Sequence, residues 1–265
     1  MIYLNKKNEG IVKTLNLGLK HVQSDFVFFI ASDDIAIPKA ISTLHHFLSQ
    51  NPEYGMAVGD NILIDKSSRR CYWDTNQRIL YKQTPRSFST FGNYLQHARK
   101  DVNFTSHQFG SYESLLKGNY ITNGCMIRTS LLKKIGGFSE KAPLEDLHIM
   151  LQLSKHSKLK YIPEPLLYYR WHPQNTVKNL PKMAKITYQT LMQEEAYATE
   201  NGYGALFYEK INTLKNELIN IETPPKHTWT LFPFFRAELF EYTDHWRFQI
   251  KFLKFDLLVI ERKRK

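Results

Sequence analysis

Three short polar segments carry the side chains that could do chemistry. The first is Ser32-Asp33-Asp34, which directly follows the apolar run 26–31. Two adjacent carboxylates repel each other unless a cation or water relieves the repulsion. Hard divalent cations such as Mg²⁺ or Mn²⁺ take carboxylate oxygens together with substrate phosphates. Because Asp is also a favoured helix N-cap residue, the pair by itself leaves both a metal site and a helix cap open.

The second segment is Glu145-Asp146, at the start of a predicted helix. A carboxylate that faces a cleft can act as a general base toward a hydroxyl, although negative charge at a helix N-terminus is favourable in its own right. The third segment is 169–173, Tyr-Arg-Trp-His-Pro. Arg170 could hold a phosphate with paired donors, and His172 could ligate a metal or donate to a phosphate oxygen. A surface arginine and an ordinary loop histidine are the alternative.

An alternation of helices and strands is predicted to position these segments. It is typical of an α/β fold, in which ligands bind beyond the carboxyl ends of the strands, where Asp33 and Asp34 lie. The continuous apolar run 26–31 predicts a strand buried on both faces of a parallel sheet. The polar region 66–112 is interpreted as loops and short helices that form one wall of a cleft. The remaining predictions are helices over 11–22, 39–49, 112–116, 130–135, 145–156 and 180–221, strands over 55–64 and 120–128, and an edge or bent strand over 160–169.

Composition limits the class of protein. The 265 residues suit one large domain, or a domain with an extension, and an aromatic content of 14% argues against a disordered chain. Lys and Arg number 36 against 25 Asp and Glu, so the net charge of +11 implies an anionic partner. The 2 cysteines make no disulfide framework. No apolar run spans a bilayer and the first ten residues carry no secretory stretch, so the expected location is the cytoplasm.

The order of the polar segments resembles that of family 2 glycosyltransferases. The resemblance covers about residues 2–176 and rests on motifs in the family order. It implies a GT-A-like (Rossmann-like) mixed sheet flanked by helices, a nucleotide-sugar donor, a divalent cation (Mn²⁺ or Mg²⁺) and inversion at the anomeric carbon. The motifs are Asn8-Glu9-Gly10 with Asn16, Ser32-Asp33-Asp34 after its strand, Asn123-Gly124-Cys125-Met126-Ile127-Arg128, Ile135-Gly136-Gly137-Phe138-Ser139, Glu145-Asp146 and Tyr169-Arg170-Trp171-His172.

The resemblance also implies roles for single residues. Asp146 corresponds to the catalytic base and has Glu145 beside it. Asp33 corresponds to the metal-binding carboxylate of a DxD-like motif, in which Ala31 stands in place of the first Asp. The implied metal ligands are Asp33, Asp34 and His172. The implied donor-binding residues are Asn8, Gly10, Lys13, Asp33, Asp34 and Arg170.

Three regions follow from this comparison: a catalytic region (1–176), a helical extension (177–225) and a basic, aromatic tail (226–265). Family members usually open with a β-α-β-α unit that is largely absent before Asn8, so an N-terminally truncated fold is expected. The tail holds nine Lys or Arg against five acids, with aromatic residues between them. That composition favours an anionic membrane surface. A helix pair packed on the domain or on a second subunit is the alternative, whereas nucleic acid is not favoured, because no recognition motif accompanies the charge.

The resulting hypothesis is an inverting, metal-assisted glycosyltransferase of the hexosyltransferase type, with Asp146 as general base. It would move a sugar from a nucleotide-diphosphate donor, with a UDP-sugar favoured, to a hydroxyl of a cell-surface polysaccharide, lipopolysaccharide or other lipid-linked acceptor. The expected location is the cytoplasm, at the inner face of the membrane, and a homo-oligomer is left open. The alternative hypothesis is a truncated, catalytically silent relative that acts as a binding or scaffold protein.

Overall fold

A mixed five-stranded sheet organises the chain between residues 26 and 171. The computed structural model describes residues 7–222, 227–232, 235–241, 245–252 and 255–263, with side chains described up to residue 219. The strand order in the sheet is β1-β6-β3-β7-β2, and a separate hairpin pairs β4 with β5. The strands are β1 (Phe26–Phe29), β2 (Ile35–Ala36), β3 (Tyr54–Asp65), β4 (Tyr72–Trp73), β5 (Ile79–Leu80), β6 (Cys125–Arg128) and β7 (Lys158–Trp171).

Helices flank this sheet, so the predicted α/β class is confirmed. The short helix over 112–116 is found with the predicted bounds, where Ser111 caps it by accepting from the Ser114 N–H. Region 66–112, predicted as loops and short helices, contains the helix α3 and also the two short strands β4 and β5. The helices are α1 (Ile11–Lys20), α2 (Ala40–Gln50), α3 (Phe91–Ala98), α4 (Tyr112–Leu116), α5 (Thr129–Lys134), α6 (Glu145–Ser154), α7 (Leu180–Leu191), α8 (Glu195–Glu200) and α9 (Gly204–Glu222).

Strand β1 differs from the prediction. Its residues are only half-buried, and its partner β6 is antiparallel, with Phe26 opposite Arg128 and Phe29 opposite Cys125. The expected burial on both faces of a parallel sheet is therefore wrong. The reason is that β1 pairs along one side only within the described part of the chain, which makes it an edge strand of this sheet. A continuous apolar run does not distinguish the two positions.

Strand β7 is bent, as predicted, but it is not at the edge. It lies between β3, to which it is parallel, and the two-residue strand β2. The register with β3 shifts between Gly59 and Asp60, where the opposite residues are Ile162 and Pro165. The irregularity accommodates the proline-containing stretch, because proline has no N–H to donate to the regular hydrogen bonds between strands. A second shift follows between Asp60 and Asn61, and the pairing is then regular from Leu167 to the end of the strand at Trp171.

Most of the apolar side chains pack into one core on the side of the sheet that faces α4 and α6. Buried residues of α6, such as Leu147 and Leu151, belong to it. The helices that follow β7 share this core, because Leu191 of α7, Ala198 of α8 and Phe207 of α9 are fully buried within it. A second cluster lies under α2 on the other side of the sheet. Helix α7 packs directly against α6, the helix that carries Glu145 and Asp146, and α8 and α9 pack against each other in the same core.

Residues beyond 226 form strands rather than helices. The strands β8 (His227–Phe232), β9 (Phe235–Glu241), β10 (His245–Phe252) and β11 (Phe255–Lys263) make an antiparallel sheet in the order β11-β10-β9-β8. The alternative of a helix pair in this tail is therefore wrong. Apolar and polar residues alternate along β10, which is the period of a strand. No helix among the described residues is long and apolar enough to cross a bilayer.

Candidate active site

A cavity of about 430 Å³ gathers carboxylates from two distant parts of the chain. Asp33 and Asp34, just beyond β1, line it together with Glu145 and Asp146 from the first turn of α6. His172, the first residue after β7, also lines the cavity. The structure thus brings together five of the residues predicted from the sequence. The apolar part of the lining includes Phe29, Ile30, Ile121, Phe138, Ile149 and Met150.

His172 and Asp33 form a hydrogen-bonded pair at one side of the cavity. Nε2 of His172 lies 2.9 Å from Oδ2 of Asp33. The backbone N–H of Gln174 donates to Nδ1 of the same ring at 3.2 Å, so Nδ1 acts as an acceptor. The neutral ring then carries its proton on Nε2 and donates it to the carboxylate. The carboxylate of Asp33 is therefore held in place at the cavity wall by a hydrogen bond from the imidazole ring.

Arg170 fixes the turn that carries the two aspartates. Its Nε donates to the backbone oxygen of Asp33 at 2.7 Å, and its backbone N–H donates to Oδ1 of Asp34 at 2.9 Å. Its Nη1 donates to the backbone oxygen of Asp65 at 3.1 Å and to the hydroxyl of Ser68 at 2.8 Å. Arg170 is not among the residues that line the cavity. In this structure the guanidinium holds loops together, and its predicted contact with the donor stays a prediction.

Asp34 is a partly buried carboxylate, and only one of its two oxygens accepts a hydrogen bond from the described residues. Its Oδ1 accepts the backbone N–H of Arg170, whereas its Oδ2 is buried and has no hydrogen-bond partner among the described residues. Burial raises the pKa of Asp34 from 3.8 to about 6, against the lowering effect of the Arg170 N–H. An unpaired buried carboxylate oxygen is costly to the fold. A group with such an environment in a cavity is a candidate for function.

Asp146 lies in the first turn of α6 and is held by two donors. The backbone N–H of Leu147 donates to Oδ1 at 2.6 Å, and Nδ2 of Asn119 donates to Oδ2 at 3.1 Å. The residue keeps exposed surface toward the cavity, but the surrounding protein displaces water and raises the pKa of Asp146. Burial also raises the pKa of Glu145, and the neighbouring charge of Asp146 adds to the rise. Raised pKa values make both carboxylates better proton acceptors than a freely exposed carboxylate, which is what a general base requires.

Asn119 is a functional candidate that the sequence reasoning missed. Its Nδ2 donates to Asp146, while its Oδ1 accepts the backbone N–H of Ile121 at 3.0 Å, so both ends of the amide are fixed. Asn119 also lines the cavity. The one signal for it was its position four residues before Asn123-Gly124, in a short polar stretch that precedes a strand. Nothing in that stretch alone indicated a partner on α6.

The predicted donor-binding residues near the start of α1 lie elsewhere. Asn8 and Gly10 are exposed, and Oδ1 of Asn8 accepts the Gly10 N–H at 3.0 Å. Gly10 has a φ of 93°, a conformation that glycine adopts readily ahead of a helix. Lys13 lies 3.9 Å from Glu140 in an exposed ion pair. None of the three lines the cavity, although Ile11 and Leu15 of the same helix do. Their contact with a donor stays a prediction.

The donor set of the cavity fits a divalent cation that takes part of its ligands from a substrate. Within the described residues, no cluster of three or more His, Cys, Asp or Glu side chains is arranged to hold a metal by itself. Magnesium-like ions, however, typically use one or two protein carboxylates, with substrate phosphates and water as the other ligands. The unpartnered oxygen of Asp34, beside the carboxylate of Asp33, is the kind of ligand that this arrangement needs.

Comparison with solved structures finds a similarity to the mannosyltransferase PcManGT from Pyrobaculum calidifontis, in complex with GDP-Man and Mn²⁺. The identity is 15% and the TM-score is 0.46, over 80% of this chain and 50% of that one. The chain therefore spans about half of the length of that mannosyltransferase. No curated protein matches the chain.

The sequence also matches a family of known proteins directly. The model of the family described as "Glycosyl transferase family 2" matches residues 1–134, which is half of the 265 residues. This span contains Asp33, Asp34 and Asn119, together with strands β1, β3 and β6 of the central sheet. The chain belongs to glycosyl transferase family 2.

Proposed function

We propose that the cavity is the active site of an inverting glycosyltransferase, in which a nucleotide-sugar donor loses its sugar to a hydroxyl of an acceptor. The observation that carries the proposal is the meeting of two different carboxylate pairs in one cavity, Asp33 with Asp34 and Glu145 with Asp146. The first pair suits a cation that neutralises the diphosphate leaving group, and the second suits a proton transfer. Membership of glycosyl transferase family 2 supports the reaction class.

Asp146 is the general base in this proposal. The acceptor hydroxyl attacks the anomeric carbon as its proton passes to the carboxylate of Asp146, and the bond from that carbon to the diphosphate breaks with its electron pair on the leaving oxygen. A single displacement of this kind inverts the anomeric centre. The contact from Asn119 fixes the carboxylate, since Nδ2 holds one lone pair of Oδ2 and leaves the others free to accept a proton. Glu145 beside it keeps the base in a region of negative potential.

The leaving diphosphate needs positive charge that the cavity wall does not supply. The lining of the cavity contains four carboxylates and, among the described residues, neither Lys nor Arg. A diphosphate would be repelled by this wall unless a cation neutralised it. Asp33 and Asp34 would hold such a cation through carboxylate oxygens, and His172 would hold it through Nε2. A bound Mn²⁺ or Mg²⁺ supplies charge stabilisation to the departing diphosphate.

The proposed acceptor is a hydroxyl of a cell-surface polysaccharide, a lipopolysaccharide or another lipid-linked glycan, and a UDP-sugar is the favoured donor. Apolar side chains at the cavity mouth agree with an acceptor that is partly apolar, since Ile11, Ile30 and Val177 are exposed there. The net charge of +11 agrees with a position near anionic lipid head groups. The proposed location is therefore the inner face of the membrane.

Calorimetric titration with UDP-glucose, UDP-N-acetylglucosamine, UDP-galactose, GDP-mannose and dTDP-rhamnose tests the proposal, with and without Mn²⁺. We expect one of these donors to bind with a Kd on the order of micromolar, and only in the presence of the cation. The variant Asp34→Asn should lose this cation-dependent binding, whereas Asp25→Asn, an exposed aspartate outside the cavity, should keep it. Absence of binding for every donor would contradict the proposal and favour the catalytically silent scaffold.

A further inference from the structure

Helix α6 carries the proposed base, but its start is held from outside the helix. The residue before its first turn is Leu144, whose side chain forms no cap. Leucine cannot accept a hydrogen bond from the unpaired N–H groups of a helix start. Instead, the backbone N–H of Leu144 donates to the hydroxyl of Thr190 at 2.9 Å. Thr190 belongs to α7, in the segment that follows β7, and is fully buried.

The other end of α6 is held by the same segment. Glu194, in the short 3₁₀ turn Met192–Glu194 after α7, is 1% exposed. Its Oε1 accepts from Nε2 of Gln152, in the last turn of α6, at 2.6 Å. Its Oε2 lies 2.7 Å from the ammonium of Lys155, the residue that ends the helix. A buried charge pair of this kind tolerates little displacement, because either charge without its partner is strongly unfavourable.

Core packing closes the space between these two contacts. Leu191, next to Thr190, is fully buried in the same core as Leu147 and Leu151 of α6. Helix α6 therefore cannot rotate or slide without breaking a hydrogen bond at its start, an ion pair at its end or the packing in between. Asp146 lies two residues after Leu144, so its direction is set by the part of the helix that Thr190 holds.

We infer that helix α7 and the turn after it brace α6, and that Thr190 is a positioning residue for the Asp146 carboxylate. The inference rests on the proposed function only in taking Asp146 as the base. It gives the helical segment after β7 a role in the reaction, although that segment contributes no side chain beyond residue 177 to the cavity. A displacement of about 1 Å in a catalytic group is enough to cost a large part of its rate.

Hydrogen exchange of the backbone amides at residues 144–147 tests the brace directly. Thr190→Val keeps the shape of the side chain and removes the acceptor, so exchange there should become about tenfold faster, as expected for a lost hydrogen bond. Thr190→Ser keeps the hydroxyl and should exchange like the native protein. The control is Thr90→Val, which removes another buried threonine hydroxyl, the one that caps α3 by accepting the Asn93 N–H and that also donates to Asp60. It should speed exchange near Asn93 but not at 144–147.

Turnover of the bound nucleotide sugar gives the second readout. Thr190→Val should lower kcat about tenfold or more while KM for the donor stays within about threefold, and Thr190→Ser should restore kcat. A purely structural role would instead give faster exchange at 144–147 in Thr190→Val together with a native kcat. That result, or exchange at 144–147 that stays at the native rate, would overturn the inference. The variant Asp146→Asn separates the two proposals. If it keeps full activity, the proposed base is wrong, while the exchange at 144–147 still decides whether Thr190 holds α6.

Discussion

Replacing Asp34 with Asn should stabilise the protein at neutral pH. The variant keeps an oxygen that can accept the Arg170 N–H, now 2.9 Å from Oδ1 of Asp34. It removes the negative charge on a group whose other oxygen is buried and unpartnered among the described residues. Natural proteins commonly accept such a cost where a charged group is needed for function. The predicted gain therefore measures how much stability the protein loses by keeping a charged carboxylate at the candidate metal ligand.

The magnitude follows from the pKa of Asp34. Burial raises it from 3.8 to about 6 in the folded protein, so the folded state binds a proton more tightly than the unfolded state. Stability from this group is therefore fully present below about pH 4 and is lost as the pH rises to about 6. At ~1.4 kcal/mol per pKa unit the shift corresponds to ~3 kcal/mol, which solvent in the cavity reduces to ~2 kcal/mol.

Thermal unfolding at several pH values, without divalent cations, is the assay. Asp34→Asn should raise Tm by about 4–8 °C at pH 8, and the gain should shrink toward zero as the pH falls to about 4 and below, where Asp34 becomes protonated in both states. The control is Asp65→Asn. Hydrogen bonds from Arg69, Tyr81 and Ser67 hold the pKa of Asp65 at about 2, so this change should lower Tm at pH 8. A gain for Asp34→Asn that is absent at pH 8, or equal at pH 4 and pH 8, would refute the reasoning.

Two further changes test other parts of the structure. Lys155→Met leaves the buried Glu194 without its cation and should cost about 3 kcal/mol in urea unfolding. Most of that stability should return in the double variant Lys155→Met, Glu194→Gln, because the neutral amide oxygen can still accept a hydrogen bond from Gln152 or Tyr112. An unchanged midpoint in the single variant would show that the pair is not buried in solution. Asn119→Ala removes a donor that favours the ionised carboxylate of Asp146, so it should raise the pKa of that group. The acidic limb of the kcat–pH profile should then move to higher pH, and a profile identical to the native one would contradict this role for Asn119.

Local patterns predicted the elements of the catalytic region well. The four-residue spacing of Ile11, Leu15 and Leu19 indicated α1, and the apolar run before Ser32 indicated β1. The polar segments lie at the ends of these elements. Their order, which resembles that of family 2 glycosyltransferases, assigned to one site five residues that do line one cavity. Position within the sheet could not be predicted in the same way. An edge strand and a central strand have similar apolar runs, because the difference lies in how many partners they pair with.

Contacts between distant segments also could not be predicted from the sequence. The bond from Asn119 to Asp146 joins a loop to a helix, and the bond from Thr190 to Leu144 joins two helices from different regions. Neither partner is marked by its neighbours in the chain. The strands after residue 226 are a different case, since the alternation in His245-Trp246-Arg247-Phe248-Gln249-Ile250-Lys251-Phe252 has period two and indicates a strand. The interpretation of this segment rested on its aromatic and basic composition and not on its period of two, so the strands were not predicted.

The most direct test of the proposed function is the release of nucleoside diphosphate from the bound donor, in the presence of Mn²⁺, by Asp146→Asn. Asn has nearly the same shape as Asp but cannot take the proton of an attacking hydroxyl. We predict turnover at least about 100-fold below that of the native protein, with the Kd for the donor within about threefold and full turnover in the exposed control Asp25→Asn. Native turnover in a folded Asp146→Asn protein would contradict the assignment of Asp146 as the base.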